Sequence, residues 1–382
     1  MRICLLTDTF LPLIGGHEIA VDQLALSYRA AGHDIAVLAI HARRRGTPGG
    51  ATFPYRVERV RKPLSQVWDF GVLTRALLRL HRRWPYEVIH CFSSYPTGFA
   101  SLKARVRLGV PLVVTSQGGD LAEGSRFSGR PVIMDRIRRT LEESDAVTAL
   151  SEYMKQRALA IAPKCAGHLH DIPNGVDCAA WTAAVPAGPG PGSLLRAFPG
   201  RYLLFLGRLH PRKGVDVLID AFASISDRFP SLQLAIAGDG KVAAALREQA
   251  ARTGASSRIH FLGLVEGDGK KWLLQNCLCL VAPTRTWEGS PVVVLEAMAC
   301  GKAVVGSAVG GIVDLIHPDE NGLLVPAGDP RALAAALAAL AEDDARRSAL
   351  ETGAIATARQ HDWPLVANRY LLLFQQLLKR TS

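Results

Sequence analysis

Short apolar runs alternate with amphipathic stretches along this 382-residue chain, and the alternation begins twice. It opens at Arg2–Thr7, an apolar run that gives way to a loop, Asp8–Gly16, holding Pro12 and the pair Gly15-Gly16. Apolar residues return at helical spacing, Val21, Leu24 and Tyr28, as far as Gly32, and Asp34–Ile40 is a second apolar run. Strand, glycine-rich loop, helix, strand is a βαβ unit, and parallel strands need such a crossover. Further strands are expected at Val88–Phe92, Pro111–Thr115 and Ala146–Leu150. Helices fit Val72–Arg83, Thr97–Leu108, Val132–Glu143 and Glu152–Ile161. That order implies a doubly wound α/β domain.

Composition then breaks. Ala183–Gly192 reads AAVPAGPGPG, which holds no regular element. A fresh alternation follows: strands at Tyr202–Leu206, Leu232–Ala237, Arg258–Leu262 and Leu278–Val281, and helices over 215–228, 241–252 and from Val292. Leu333–Leu340 is an Ala- and Leu-rich helical run. In Trp363–Lys379, Val366, Tyr370, Leu373 and Leu377 recur at helical spacing, giving one apolar face to dock. Two domains are expected on length as well. The boundaries read 1–178 for the first, with a last helix at 363–380; 179–200 for the linker; and 201–362 for the second.

No uninterrupted apolar run reaches the roughly 18 residues of a membrane span, and the opening apolar stretch turns polar at Thr7 and Asp8, too short for a signal peptide. The seven cysteines are an odd, scattered set without a C-x-x-C pair, and read as reduced thiols. A cytoplasmic protein is therefore expected. Of the net charge of +11, residues 1–180 carry +8, with 24 Lys and Arg against 16 Asp and Glu. Arg43-Arg44-Arg45 with Arg56, Arg59, Arg61 and Lys62 forms one basic set. Arg75, Arg79, Arg82 and Arg83, interleaved with Leu77, Leu78, Leu80 and Trp84, forms a second on a helix, and Arg136, Arg138 and Arg139 a third. Regular stacking aromatics are lacking, which disfavours nucleic acid. An amphipathic basic helix suits an anionic membrane surface, although its apolar stripe equally fits core contact. Peripheral docking on the cytoplasmic face of the membrane is one expectation.

In doubly wound sheets ligands bind beyond the carboxyl ends of the strands, so two such domains facing each other would enclose a cleft. The strand Tyr202–Leu206 runs into Gly207-Arg208-Leu209-His210-Pro211-Arg212-Lys213-Gly214. Glycine lets backbone approach a ligand, Arg208 and Lys213 bring positive charge, and the following helix start adds N–H groups. That is the outline of a diphosphate site, with a solvated basic turn as the alternative. Gly238-Asp239-Gly240 ends the strand at 232–237. In Glu288-Gly289-Ser290-Pro291-Val292, Ser290 fits a helix N-cap and Pro291 a first turn. Glu296, eight residues after Glu288, falls among Val294, Leu295, Ala297 and Met298, where a carboxylate needs a partner. Ribose hydroxyls would serve, since a carboxylate accepts two hydrogen bonds from a diol, and an Arg or Lys would serve too.

These motifs resemble the retaining glycosyltransferases of family 4, group 1, with the two-domain GT-B fold: two facing doubly wound Rossmann-like domains with a cleft between them. The resemblance rests on GRLHPRKG at 207–214, GDG at 238–240, E-x7-E at 288–296 followed by AMACG, IPNGVD at 172–177 and GGHE at 15–18. It runs from Thr7 to the last helix, which in the family crosses back onto the first domain.

The resemblance implies a metal-independent transferase without a cofactor, whose substrate is a nucleotide-diphosphate sugar, UDP- or GDP-linked. A hexose would pass to a glycan or lipid-linked acceptor in cell-envelope or exopolysaccharide synthesis. Arg208, Lys213 and Glu288 would be the catalytic groups. Gly15, Gly16, Gly207, Gly238, Asp239, Ser290, Pro291, Val292 and Glu296 would bind the donor. Two cations at the diphosphate would do a metal's work on the leaving group. Many members carry a His after the strand that here is Pro111–Thr115, where this chain has Gln117-Gly118-Gly119-Asp120. Gln117, Asp120 and Glu18 are the expected acceptor or sugar contacts, with capping of the next turn open for Asp120. Glutamine donates a hydrogen bond but exchanges no proton near neutral pH.

Rival classes fit less well. A nicotinamide-dependent oxidoreductase needs G-x-G-x-x-G after the first strand, where this chain has DTFLPLIGGHE. An epimerase or hydrolase of the same fold shares the diphosphate site and is the alternative. A non-catalytic sugar-nucleotide binder would be expected to have lost one of Arg208, Lys213, Glu288 or Glu296, and all four are present.

Overall fold

A computed structural model describes residues 1–41, 52–61, 70–125, 127–185 and 201–381. Arg43, Arg44, Arg45, Lys62 and most of the Pro/Gly-rich stretch before residue 201 lie outside them. The chain divides into two compact units, Met1–Asn174 with Trp363–Ser382, and Gly175–Asp362.

The first unit holds a seven-stranded parallel sheet in the order β3-β2-β1-β4-β5-β6-β7. Its strands are β1 Arg2–Thr7, β2 Asp34–His41, β3 Arg56–Arg61, β4 Val88–Cys91, β5 Leu112–Thr115, β6 Ala146–Ala149 and β7 Leu169–Asp171. The second unit holds a six-stranded parallel sheet in the order β10-β9-β8-β11-β12-β13. These strands are β8 Tyr202–Leu206, β9 Gln233–Ala237, β10 Ile259–Gly263, β11 Cys279–Ala282, β12 Val304–Ser307 and β13 Gly322–Val325. Each sheet runs outward from its first strand in both directions. The order reverses between β1 and β4 in one and between β8 and β11 in the other, the switch points where such sheets take ligands.

Both faces of the inner strands are buried, which is why β1, β4, β5, β8, β9 and β11 read as continuous apolar runs. Side chains alternate between faces: in the second unit Leu203, Phe205, Leu234, Ile236, Cys279 and Val281 join one core, and Tyr202, Leu204, Ala235, Ala237 and Leu280 the other. In the first unit Ile3, Leu5, Val37 and Val113 face one core and Cys4, Leu6, Leu38 and Leu112 the opposite one.

The last helix, Trp363–Thr381, packs against the first of these cores through Val366, Tyr370, Leu373 and Leu377. Beneath it runs a buried polar chain. His90 Nε2 lies 2.8 Å from Thr115 Oγ1, and the Tyr370 hydroxyl lies 3.3 Å from Thr115 Oγ1 and 3.4 Å from Thr148 Oγ1. Burial lowers the His90 pKa to about 3, so the ring is neutral there.

The helix Cys178–Thr182 belongs to the second unit, although the sequence boundaries divide it between first domain and linker. Asp177 caps it, and the amide of Val176 donates to His361 O at 2.9 Å. The helix Phe70–Arg83 turns Leu73, Leu77 and Leu80 into the core, so its apolar stripe is a packing face. Arg75, Arg79, Arg82 and Arg83 remain exposed on it. In the third basic set Arg138 pairs with Asp135 and Glu142, and Arg139 with Glu143. All seven cysteines are free thiols, five of them buried. No helix among the described residues is long and apolar enough to cross a membrane.

Candidate functional site

The loop after β8 is built by glycines that let backbones touch. A Cβ on Gly238 would lie 1.9 Å from the Gly207 carbonyl oxygen, and one on Gly240 2.1 Å from that of Leu209. The Leu209 amide donates to Asp239 O at 2.9 Å, so the GDG turn after β9 is a backing for the basic loop. Asp239 itself is exposed, and its carboxylate accepts the Gly240 amide at 2.7 Å. Residues Pro211–Lys213 form a 3-10 turn. Gly214 follows at φ +66°, a left-handed conformation in which any Cβ would sit 1.9 Å from the Pro283 oxygen. The helix Val215–Ile225 starts there.

That contact with Pro283 ties the β8 loop to the β11 loop across the switch point. The Arg285 amide donates to Arg212 O at 2.8 Å, and the Arg212 guanidinium lies 4.1 Å from the Trp287 ring centre. The result is a charge pair at the sheet mouth: Lys213 Nζ donates to Glu288 Oε1 at 2.6 Å, with Thr284 Oγ1 on the same oxygen at 3.3 Å. Lys213 and Glu288 line one cavity with Leu206, Ala282, Thr284 and Pro291. Gly310 and Gly311, which the sequence reading did not single out, support Glu288 from β12's side. The Gly311 amide donates to Glu288 O at 2.8 Å, and a Cβ on Gly310 (φ +52°) would lie 2.6 Å from the Glu288 backbone.

Arg208 is exposed at the end of β8, with no hydrogen-bond or ion-pair partner among the described residues. The helix after Glu288 runs Val292–Ala299 with Pro291 as its N-cap, so Ser290 lies one residue before the N-cap position expected for it. Without a side-chain cap, Pro291 still sits where its missing N–H is harmless.

Glu296 is 2% exposed, and its partner is Lys270, whose Nζ lies 2.7 Å from Oε1 and 2.6 Å from Oε2. This is the Arg or Lys pairing weighed beside ribose binding. Burial raises the Glu296 pKa and Lys270 opposes the rise. Lys270 also lies 5.1 Å from the Trp181 ring centre. It stands on the helix Gly267–Asn276, which starts with Gly267 and Gly269 and so hides its pattern. An apolar-flanked Glu was the signal that such a cation had to exist.

In the first unit Gly15 caps the helix Gly16–Ala30, and a Cβ on it would meet a Glu18 carboxylate oxygen at 2.6 Å. Gln117 follows β5. Its Oε1 accepts from Asn174 Nδ2 at 3.5 Å, and its buried Nε2 has no partner. Asp120 is 4% exposed and accepts the Ser94 amide at 2.5 Å and the hydroxyls of Ser94 and Ser116. Its carboxylate thus ties together the loops after β4 and β5, where capping of the next turn was the structural role expected from sequence.

The structure therefore joins Lys213 to Glu288, gives Glu296 to Lys270, and leaves Arg208 unpaired at the strand end among the described residues. Comparison with known proteins agrees with this architecture. The family described as Glycosyl transferases group 1 matches residues 196–357, and Glycosyltransferase Family 4 matches residues 14–180. The phosphatidyl-myo-inositol mannosyltransferase of Mycobacterium tuberculosis is 31% identical, covering 98% of this chain and 97% of that protein. A D-inositol 3-phosphate glycosyltransferase of Xylanimonas cellulosilytica is 30% identical over 81% of this chain and 76% of its own length. The structure of Anabaena HepE in complex with UDP-glucose superposes with a TM-score of 0.80 at 21% identity, covering 98% of this chain and all of that one. The chain belongs to the group 1, family 4 glycosyltransferases and has their GT-B fold of two Rossmann-like halves.

Proposed function

We propose that this enzyme transfers a hexose, with retention of anomeric configuration, from a nucleoside-diphosphate sugar to an inositol-bearing acceptor, foremost the headgroup of an inositol phospholipid. The observation that carries the donor half is the Lys213–Glu288 pair at the β8/β11 switch point. Glu288 holds Lys213 toward the cavity, and Arg208 adds a guanidinium with no competing partner among the described residues. When the bond from sugar to phosphate breaks, negative charge grows on the departing diphosphate. Two fixed cations stabilise it more than the ground state, which accelerates the step. Glu288 has a second carboxylate oxygen for a sugar hydroxyl. Glu296, paired with Lys270, retains lone pairs for the ribose diol. Gly207, Gly238, Ser290, Pro291 and Val292 shape the donor's surroundings.

The inositol acceptor is supported by the names of the two relatives above, both of which act on inositol compounds. The exposed arginines of Phe70–Arg83 suit a cytoplasmic enzyme resting on an anionic inner-leaflet surface. The test is transfer of labelled hexose from GDP-mannose, UDP-glucose or UDP-N-acetylglucosamine to phosphatidylinositol vesicles, with soluble inositol 3-phosphate in parallel. Glycolipid formed from one donor is the expected result. Release of free sugar alone, or an epimerised nucleotide sugar, overturns it in favour of a hydrolase or epimerase.

A further inference from the structure

Three polar groups at the carboxyl end of β1 are linked in a way that the donor site does not use. Thr7 is fully buried, and its hydroxyl donates to Thr9 O at 2.7 Å. A hydroxyl has one proton, and a carbonyl oxygen only accepts. The second contact of Thr7 Oγ1, to His17 Nε2 at 2.7 Å, must therefore be donated by the imidazole. The Asp8 carboxylate, 3.6 Å from the same nitrogen, favours a proton there as well. The neutral ring is thus fixed as the Nε2–H tautomer, and Nδ1 keeps its lone pair. Among the described residues Nδ1 has no hydrogen-bond partner, and the side chain is 19% exposed. Phe92, at the end of β4, packs edge-on against the ring with centroids 6.4 Å apart and fixes its plane. The ring is held at the β1/β4 switch point of the first unit's sheet with an acceptor atom to spare.

We infer that His17 binds the sugar acceptor, its Nδ1 lone pair receiving a hydrogen bond from a hydroxyl of the incoming polyol. Two strands away, Gln117 Nε2 offers the opposite polarity, a buried donor without a partner. A lone-pair acceptor and an N–H donor along one sheet edge match the hydroxyls of a polyol, which both give and take hydrogen bonds. The chemical class is a vicinally hydroxylated ring, in keeping with the inositol acceptor on which this inference rests.

The test uses the isosteric pair His17→Asn and His17→Gln in the full-length enzyme. The asparagine amide reaches the position of Nδ1, and the glutamine amide that of Nε2. Acceptor and donor KM are measured on phosphatidylinositol vesicles, and the imidazole nitrogen shifts of His17 are read by NMR in the free protein. The expected result is that His17→Asn stays near wild type. His17→Gln keeps the anchor to Thr7 but raises acceptor KM about tenfold, with donor KM unchanged. A purely structural His17 gives the reverse order, Gln tolerated and Asn impaired, and overturns the inference. Should wild type transfer nothing to phosphatidylinositol, the inositol reading falls by itself. The nitrogen shifts then decide on His17: a protonated Nε2 upholds the free lone pair, and a protonated Nδ1 removes it.

Discussion

Lys213 and Glu288 meet at 2.6 Å although 75 positions separate them in sequence. The contact exists because β8 and β11 are neighbours at the reversal of strand order, which turns two distant loops into adjacent ones. Side-chain exposures of 22% and 12% take the pair out of the weak surface class. Lys213→Ala should lower turnover by about a hundredfold or more, the size of effect seen when a preorganised transition-state contact is lost. Circular dichroism should remain that of wild type. A turnover within twofold of wild type would remove Lys213 from the chemistry.

The pair Lys270–Glu296 is deeper, with exposures of 16% and 3%. Breaking such a pair from one side leaves a buried charge, at a loss of roughly 3–5 kcal/mol, whereas replacing both partners by apolar groups is often neutral or stabilising. Lys270→Met alone should therefore lower the melting midpoint clearly. The double variant Lys270→Met/Glu296→Met should restore the midpoint while remaining inactive. Glu296→Ala alone should cut turnover by orders of magnitude. Recovery of activity in the double variant would show that the carboxylate has no part in donor binding.

Backbone packing carries the next prediction. Gly310 has φ +52° and lies against the backbone of Glu288, so Gly310→Ala adds left-handed strain and a 2.6 Å clash together. The Glu288 loop must shift, and activity should fall at least tenfold with the global fold retained, since a displacement of about 1 Å is enough to matter. Steady-state kinetics beside a thermal melt checks this.

Acid stability reports on the core under the last helix. His90 titrates near 6.5 when exposed and at about 3 in its buried site. Below pH 6.5 the unfolded chain takes up a proton that the folded chain refuses. The stability this group contributes is thus full above pH 6.5 and is lost as pH falls toward 3. His90→Gln should flatten the loss of stability between pH 6.5 and 4 in urea melts. An unchanged slope would mean that the ring is not held neutral.

For membrane docking, the exposed Arg75, Arg79 and Arg82 are the test set, each worth ~1 kcal/mol near an anionic surface. Wild type should float with anionic vesicles at low salt, and the triple alanine variant should not. Failure of wild type to float would remove the membrane from the account.

Much of this was legible in sequence because doubly wound sheets bury both faces: β1, β8 and the helix Glu152–Ile161 stand where their apolar runs place them. The missed elements are those whose pattern is diluted. β3, RVERVR, is the outermost strand of its sheet among the described residues, and its arginines Arg56 and Arg59 are exposed. β12 and β13 are four-residue strands between glycines. The helix Asp344–Gln360 buries only Leu350, Ala354 and Ala358 and so shows little apolar face. In the site, the motifs marked Lys213 and Glu288, and the apolar surroundings marked Glu296 as needing a partner. Which partner each takes, Glu288 or Lys270, depends on loop neighbours set by the sheet order. Gly310 was invisible because its role is a contact with another backbone.

A nucleoside diphosphate is expected on the second unit, gripped through the cations of the β8 loop. Calorimetric titration of UDP and GDP into wild type, Arg208→Ala and Lys213→Ala tests it most directly. Wild type should bind at least one of the two, and each variant should bind it at least tenfold more weakly. Equal affinity in all three proteins, or no binding of either nucleotide to wild type, would contradict it.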